Sequence, residues 1–335
     1  MKNILITGGA GYIGSHVARL LAENKNLNLT IIDSLENGFQ EAIDIIKKES
    51  KSKISFIKLD LKYEKQFVRL NNQKFDGVLH FAAFLKINES VEDPLKYFEN
   101  NVTGSINLLK YMKATDSKNL VFSSTCSLYS RHAKIPFTEE SDILPENPYS
   151  ESKYMMEKII HWSSLAYNFR YIVLRYFNPF GVNNDWNIGY SLIPSPHLVP
   201  AAVRGALGLQ DFHITCGKVN TPDGSTIRDY IHIMDLADTH KIAIDALFHG
   251  HKSDIYNVGT GKGNSVLEII HYVKKITGKD FKSEMGKPRK GELPEVVGDT
   301  SKFQNEFNWK PKHLLEEGIL SLAEWFKKRP DGYKY

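Results

Sequence analysis

Tyr149 and Lys153 stand four residues apart, just after Pro148. Proline is favoured at the first position of a helix, so a helix is expected to open here. Residues i and i+4 share a helix face, which aims the phenol and the ammonium at the same space. An ammonium beside a phenol favours the phenolate and lowers a pKa ordinarily near ~10. Such a phenolate is a general base for an alcohol proton. A solvated tyrosine and a surface lysine would carry the same spacing. Two features weigh against that. The run Ser123-Ser124-Thr125 ends a β-rich stretch with hydroxyls, so Thr125 or Ser124 is placed to share a proton with Tyr149. A glycine loop near the N-terminus also implies a nicotinamide, whose oxidised ring is positive and pushes the phenol the same way.

That loop reads Thr7-Gly8-Gly9-Ala10-Gly11-Tyr12-Ile13-Gly14. Glycine permits positive φ in a turn, and a missing side chain lets backbone approach a pyrophosphate. The following helix N-terminus offers free N–H groups and partial positive charge. A glycine triplet by itself is often an ordinary turn. Here a strand precedes it, a helix follows, and Asp33 ends the next strand about 22 positions after Gly11. A carboxylate there accepts from both adenosine ribose hydroxyls and repels a 2′-phosphate, which favours NAD over NADP. Asp60 ends the third strand and either reaches the adenine or caps a helix over 62–70. The small residues in Phe81-Ala82-Ala83 let a cofactor lie across the strand ends.

Short apolar runs at 4–7, 29–33, 54–59, 77–81, 119–123 and 171–176 read as strands. Helical periodicity over 12–23, 94–113 and 148–167 separates several of them. Strands alternating with helices predict an α/β fold, a doubly wound (Rossmann) parallel sheet. Residues 1–180 are expected to form it. A helix at 233–247 and a strand at 255–258 should return to it, within a segment 233–260. Residues 181–232 and 261–335 are expected to form a smaller mixed α/β substrate lobe, closed by an amphipathic helix over 314–326.

The 335 residues are 41% hydrophobic and 24% charged, as in ordinary globular proteins, with a dispersed formal charge of +4. Nucleic-acid binders concentrate their basic residues, so no nucleic-acid partner is expected. No apolar run is long enough to span a membrane. Cys126 and Cys216 lie far apart and suit reduced thiols in the cytoplasm. Twelve histidines occur without metal-site spacing, so no metal is expected. Cys126 has no positioned histidine partner and reads as packing.

The glycine loop with its Tyr-Ile-Gly-Ser-His continuation, the Tyr149–Lys153 pair and Arg175-Tyr176-Phe177-Asn178-Pro179 resemble the extended short-chain dehydrogenase/reductases. Within them, the segments 228–237 (Arg-Asp-Tyr-Ile-His-Ile-Met-Asp-Leu-Ala) and 261–266 (Gly-x-Gly-Asn-Ser-Val) resemble the UDP-glucose (UDP-galactose) 4-epimerases, and the resemblance runs from Lys2 to about Tyr333. It implies that Tyr149 takes the sugar 4-hydroxyl proton while C4 gives a hydride to NAD. The 4-keto sugar then turns over, and the hydride returns to the opposite face. The family's catalytic hydroxyl falls on Thr125. Implied NAD contacts are Tyr12, Ile13, Asp33, Asn37, Asp60, Leu61, Phe81, Asn100, Lys153 and Phe177. Implied UDP-sugar contacts are Asn178, Leu198, Arg228, Arg289 and Glu292, and guanidinium forks suit a pyrophosphate. Family members pair through the helices at 94–113 and 148–167, which implies a homodimer.

The chain departs from the pattern at several positions. Lys86 comes one position late after Phe81-Ala82-Ala83-Phe84-Leu85, Val-Tyr-Gly has become Leu128-Tyr129-Ser130, and a paired asparagine has become Pro196-His197. His197 is either a sugar or phosphate ligand or a loop histidine. Val296 stands where the family carries a residue that limits room around the sugar. A valine there predicts that N-acetylated UDP-hexoses are also accepted. Dehydration, decarboxylation and uronate epimerisation are the alternatives within enzymes, and Cys126-Ser127 replace the Asp-Glu a dehydratase needs. A silent NAD sensor is the alternative outside them, although both Tyr149 and Lys153 are kept.

Overall fold

The computed structural model describes residues 1–214, 217–283 and 293–334. Seven strands make one sheet: β1 (Lys2–Thr7), β2 (Leu27–Asp33), β3 (Lys53–Lys58), β4 (Gly77–His80), β5 (Asn119–Thr125), β6 (Arg170–Tyr176) and, much later in the chain, β9 (Asp254–Val258). Their order is β3-β2-β1-β4-β5-β6-β9, with every pair parallel. This is the doubly wound order with one strand added at the edge. A sheet covered on both faces needs apolar residues on both, which explains the unbroken runs such as Ile4-Leu5-Ile6. Alternate residues enter opposite layers. Ile4, Ile6, Leu29, Ile31, Val121 and Ile172 face one core, and Leu5, Ile32, Leu120, Phe122 and Val173 face the other.

Helices α1 (Tyr12–Leu21) and α2 (Gln40–Glu49) cover the first face, whose core takes Val17 and Ile43. Next along the chain come α3 (Ile87–Glu92), α4 (Pro94–Tyr97), α5 (Gly104–Ala114) and α6 (Pro148–Tyr167). Leu108 and Met112 of α5 and Met156 and Ile160 of α6 fill the second core. Helix α7 (Leu198–Ala206) precedes α8 (Ile233–Phe248), which packs on α1, β5 and β6 and leads directly to β9.

A second sheet centres on β8 (Ile227–His232). It pairs with β7 (Asn178–Phe180) and β11 (Glu295–Val296) in parallel, and with β10 (Gly263–Ser265) antiparallel. Helices α7, α9 (Val266–Thr277) and α11 (Leu315–Lys328) pack on one another beside it, and α10 (Ser301–Phe307) packs on β9. Helix α9 opens with a reciprocal cap between Ser265 and Glu268.

Two expected helices differ. The span 94–113 is not one α-helix, because Phe98–Thr103 forms a π-turn between α4 and α5. The wider turn lets Asn101 take the backbone N–H of Phe84 (2.8 Å) and donate to its carbonyl (3.1 Å) and to Ser152 of α6 (3.0 Å). The span 62–70 is a 3₁₀ helix over Glu64–Leu70 that begins after Tyr63, not after Asp60. Asp60 instead accepts the backbone N–H of Lys62 at 2.9 Å, a local turn.

Candidate active site

The carboxyl ends of the central strands lie level. Thr7 pairs with His80, and Thr125 pairs with Tyr176, which pairs with Val258. The loop leaving β1 turns at Gly8 with φ +69°. A Cβ there would stand 2.5 Å from the backbone nitrogen of Ala82, so the loop and the end of β4 meet backbone to backbone. A Cβ at Gly14 would overlap the Gly8 carbonyl, whereas one at Gly11 would meet only that oxygen, at 3.3 Å. The bare side of Gly11 therefore faces open space. Gly11 is also the N-cap of α1, and no side chain caps it. Tyr12 and Ile13 follow in the first turn. An uncapped helix start beside bare backbone fits a pyrophosphate.

Asp33 fixes the other end of this cradle. It is buried at the tip of β2 and accepts the Ala10 N–H (3.0 Å) and the Leu35 N–H (2.8 Å). Burial raises its pKa, and the two backbone donors pull it back. Asn37 is exposed just beyond it, Asp60 is half-buried at the tip of β3, and Leu61 is buried. Phe81 packs its ring on His240 at 4.8 Å, with Ala82 and Ala83 half-buried after it. Asn100 lies in the π-turn and donates to Asn101 at 2.9 Å.

Thr125, Tyr149 and Lys153 converge at the end of β5. Asn147 caps α6, accepting the Ser150 N–H at 2.9 Å, and Pro148 opens its first turn. The Thr125 hydroxyl acts on the Tyr149 phenol and pulls its pKa down. Lys153 is buried one turn on, donates to the Ser123 carbonyl at 2.9 Å and lies 5.0 Å from the Phe122 ring centroid. Ser124 is committed elsewhere. It donates to Glu157, which also holds Arg175 in a buried bidentate pair with contacts of 3.1 and 2.6 Å. This leaves Thr125 as the partner of the phenol.

The electrostatics differ from the expectation of a lowered phenol pKa. Burial pushes Tyr149 up to about 12, and the pull of Thr125 only partly offsets it. Burial also brings Lys153 down to about 7, against the pull of Glu157. Desolvation is thus the dominant influence on both groups in the protein alone. Cys126 is pushed up to about 12 by burial and by Asp229, so its thiol is inert near neutral pH.

The second sheet supplies the facing wall. Arg228 pairs across β8 with Val296 and with Asn264. Asn178 donates to the Asp229 carbonyl at 3.1 Å. Phe177 is buried with Leu128, Tyr129 and Phe137, and Val296 packs on that cluster. Leu198 opens α7 after His197, whose Nδ1 lies 2.6 Å from the Tyr190 hydroxyl. Tyr190 in turn packs edge-on against Tyr12, at 5.1 Å between ring centres. Lys86 is exposed just before α3. Arg289, Glu292 and Cys216 lie outside the described residues. Among the described residues no cluster of His, Cys, Asp and Glu could hold a metal, and no helix is long and apolar enough to cross a membrane.

Fold and site together define a dinucleotide-binding enzyme of the short-chain dehydrogenase/reductase type. The NAD dependent epimerase/dehydratase family matches residues 4–259, and the chain belongs to that family. It is 40% identical to a UDP-glucose 4-epimerase of Lactobacillus helveticus, with 99% of each chain covered. The solved UDP-glucose 4-epimerase of Bifidobacterium longum, in complex with NAD+ and UDP, superposes with a TM-score of 0.92. It is 32% identical, over 99% of this chain and 100% of that one. A UDP-Glc/GlcNAc 4-epimerase of Campylobacter jejuni superposes with a TM-score of 0.85. It is 35% identical, over 98% of this chain and 100% of that one.

Proposed function

We propose that this chain inverts C4 of UDP-glucose and UDP-galactose through a transient 4-keto sugar, with one NAD held through many turnovers. The observation that carries the reading is Tyr149 and Lys153 one helical turn apart on α6, with Lys153 bonded to the end of β5 where Thr125 stands, beside an open glycine cradle. Gly8, Gly11 and Gly14 bring backbone to the pyrophosphate, Tyr12 and Ile13 present the first helical turn, and Asp33 takes the adenosine ribose. Asn37, Asp60, Leu61, Phe81, Ala82, Ala83, Asn100, Lys153 and Phe177 complete the lining. NAD supplies a reversible hydride acceptor for C4 and a positive ring that favours the phenolate.

Tyr149 then takes the proton of the 4-hydroxyl and later gives it back. Thr125 holds the phenol in place. Lys153 adds positive charge when protonated, which opposes the effect of burial. Asn178, Leu198 and Arg228 hold the UDP-sugar, together with His197 and, outside the described residues, Arg289 and Glu292. Losing water from the sugar would need an acid and base next to Thr125, where the chain has only a half-buried thiol and Ser127.

Val296 extends the proposal to N-acetylated sugars. Its small side chain packs on the cluster of Leu128, Tyr129, Phe137 and Phe177, and Val296 pairs with Arg228, where a larger side chain would crowd a 2-acetamido group. Turnover of UDP-GalNAc alongside UDP-galactose is expected. Val296→Tyr should lose the first and keep the second, and equal loss of both would contradict this role. We place a homodimer contact on α3, α4 and α6, whose Val91, Leu95, Trp162 and Leu165 are exposed. Light scattering at micromolar concentration should give twice the chain mass.

The direct assay is conversion of UDP-galactose to UDP-glucose by purified protein. Tyr149→Phe should abolish conversion, and conversion that survives this change would remove Tyr149 from its role.

A further inference from the structure

Tyr12 opens α1 directly after Gly11, so its backbone lies in the cradle. Its side chain is committed elsewhere. The phenol donates to the carbonyl of Gly181 at 2.6 Å, 169 residues on. Two buried rings clamp it edge-on, His16 one turn along α1 and Tyr190 from much later in the chain, each 5.1 Å away between ring centres.

Both contacts lead to the wall that faces the cradle. Gly181 follows β7, the strand that begins with Asn178. It turns with φ +92°, and a Cβ on it would stand 2.6 Å from His232 Nε2, so the turn is open only to glycine. The Tyr12 phenol takes the carbonyl of this turn. Tyr190 leads to the other side of the wall. Its hydroxyl lies 2.6 Å from His197 Nδ1 and accepts from Ser195 at 3.2 Å, and its carbonyl accepts the Trp325 indole N–H at 2.8 Å. His197 is the N-cap residue of α7, and Leu198 is its first residue. One side chain of the cradle helix therefore touches the exit of β7 and the ring that holds the start of α7. Asn187 also joins the substrate lobe to α2, through Glu49 at 2.8 Å, but at an exposed position where water competes.

We infer that Tyr12 is a positioning residue for the UDP-sugar, its backbone serving the cradle while its side chain holds Asn178 and Leu198 in register with it. This deepens the epimerase reading and rests on it. The effect is one of preorganisation. A wall already in its binding arrangement binds at full strength. A wall so arranged for only a fraction of the time binds more weakly by that fraction. Loss of alignment in the free protein therefore raises KM and leaves the bound complex to react as before.

The test is steady-state conversion of UDP-galactose by protein carrying its NAD as purified. Tyr12→Phe keeps the ring between His16 and Tyr190 and removes only the bond to Gly181. Its KM should rise about fivefold, the worth of a buried hydrogen bond. Its kcat should stay within about twofold of wild type, because the loss precedes the chemical step. Its NAD content should match wild type. Tyr190→Phe removes the bond to His197 and should raise KM by a similar factor. Tyr111 on α5 donates to the Gln73 carbonyl at 2.7 Å, a bond of the same kind in the second core. Tyr111→Phe should leave both constants at their wild-type values. An unmoved KM in Tyr12→Phe, NAD lost from it, or a fall in kcat alone would overturn the inference. If Tyr12→Phe does not fold, Tyr190→Phe decides by the same measure. Wild-type protein that fails to convert UDP-galactose would remove the epimerase reading itself. Active wild type with equal KM in both variants would remove only the role of Tyr12.

Discussion

The glycine cradle and the reacting centre share one edge of one sheet, yet they are built on opposite plans. The cradle is made of what is missing. It uses glycines without side chains and a helix without a side-chain cap, so its chemistry is that of bare backbone. The reacting centre is made of side chains taken out of water. Its lysine is brought down to about 7 and its phenol up to about 12 by burial. Steric room governs the first region and desolvation the second, so the two should fail differently when altered.

The largest effect should come from the reacting centre. Tyr149→Phe removes the proton acceptor and should lower turnover by about 10³-fold or more while leaving bound NAD in place. That separation is readable from activity and from the absorbance of the same sample. The cradle should show the reverse dependence. Gly14→Ala drives a methyl into the Gly8 carbonyl and should yield protein purified without NAD. Gly11→Ala meets the protein only at that oxygen, at 3.3 Å, and points its methyl into the open space of the cradle, so the protein should fold as wild type and still lose NAD. A Gly11→Ala protein purified with its full NAD content would break the steric account.

A smaller effect is expected at Asp33. Removing its carboxylate as Asp33→Ala should weaken NAD binding by about 10- to 100-fold, the worth of a charge-assisted hydrogen bond. Discrimination against NADP should narrow with it, and titration calorimetry with both dinucleotides reads the change.

The smallest effect tests desolvation at Lys153. Its folded pKa of about 7 lies below the ~10.5 of an unfolded lysine. Between these values the unfolded chain binds the extra proton, so stability rises with pH across the window and the full penalty applies below pH 7. Lys153→Met carries no such proton. Its stability advantage over wild type should shrink by about 2 kcal/mol from pH 7 to pH 9, as read by urea unfolding. A constant difference would show that Lys153 stays fully charged.

The same contrast explains what could be read in the sequence. The cradle lies within residues 8–14, with Asp33 one strand later, so local spacing reveals it. The parallel order of the strands follows from their alternation with helices, and the helix over 148–167 matches α6 in both bounds. The reacting centre joins segments whose contact only the fold creates. Spacing put Tyr149 and Lys153 on one face, but it could not weigh their attraction against burial. It also could not separate Ser124 from Thr125 by geometry, because Ser124 is claimed by Glu157, 33 residues on. The π-turn at Phe98–Thr103 was invisible for a related reason. Its cause is the bonding of Asn101 to Phe84 and Ser152, 17 and 51 residues away.

The central claim is that NAD, the cradle and Tyr149 form one closed cycle with no net redox change. The most direct test follows UDP-galactose through many turnovers by purified protein with no dinucleotide added. Conversion to UDP-glucose should proceed to a constant ratio without accumulation of free NADH. Conversion that requires added NAD in stoichiometric amounts, or that leaves NADH behind in step with product, would contradict it.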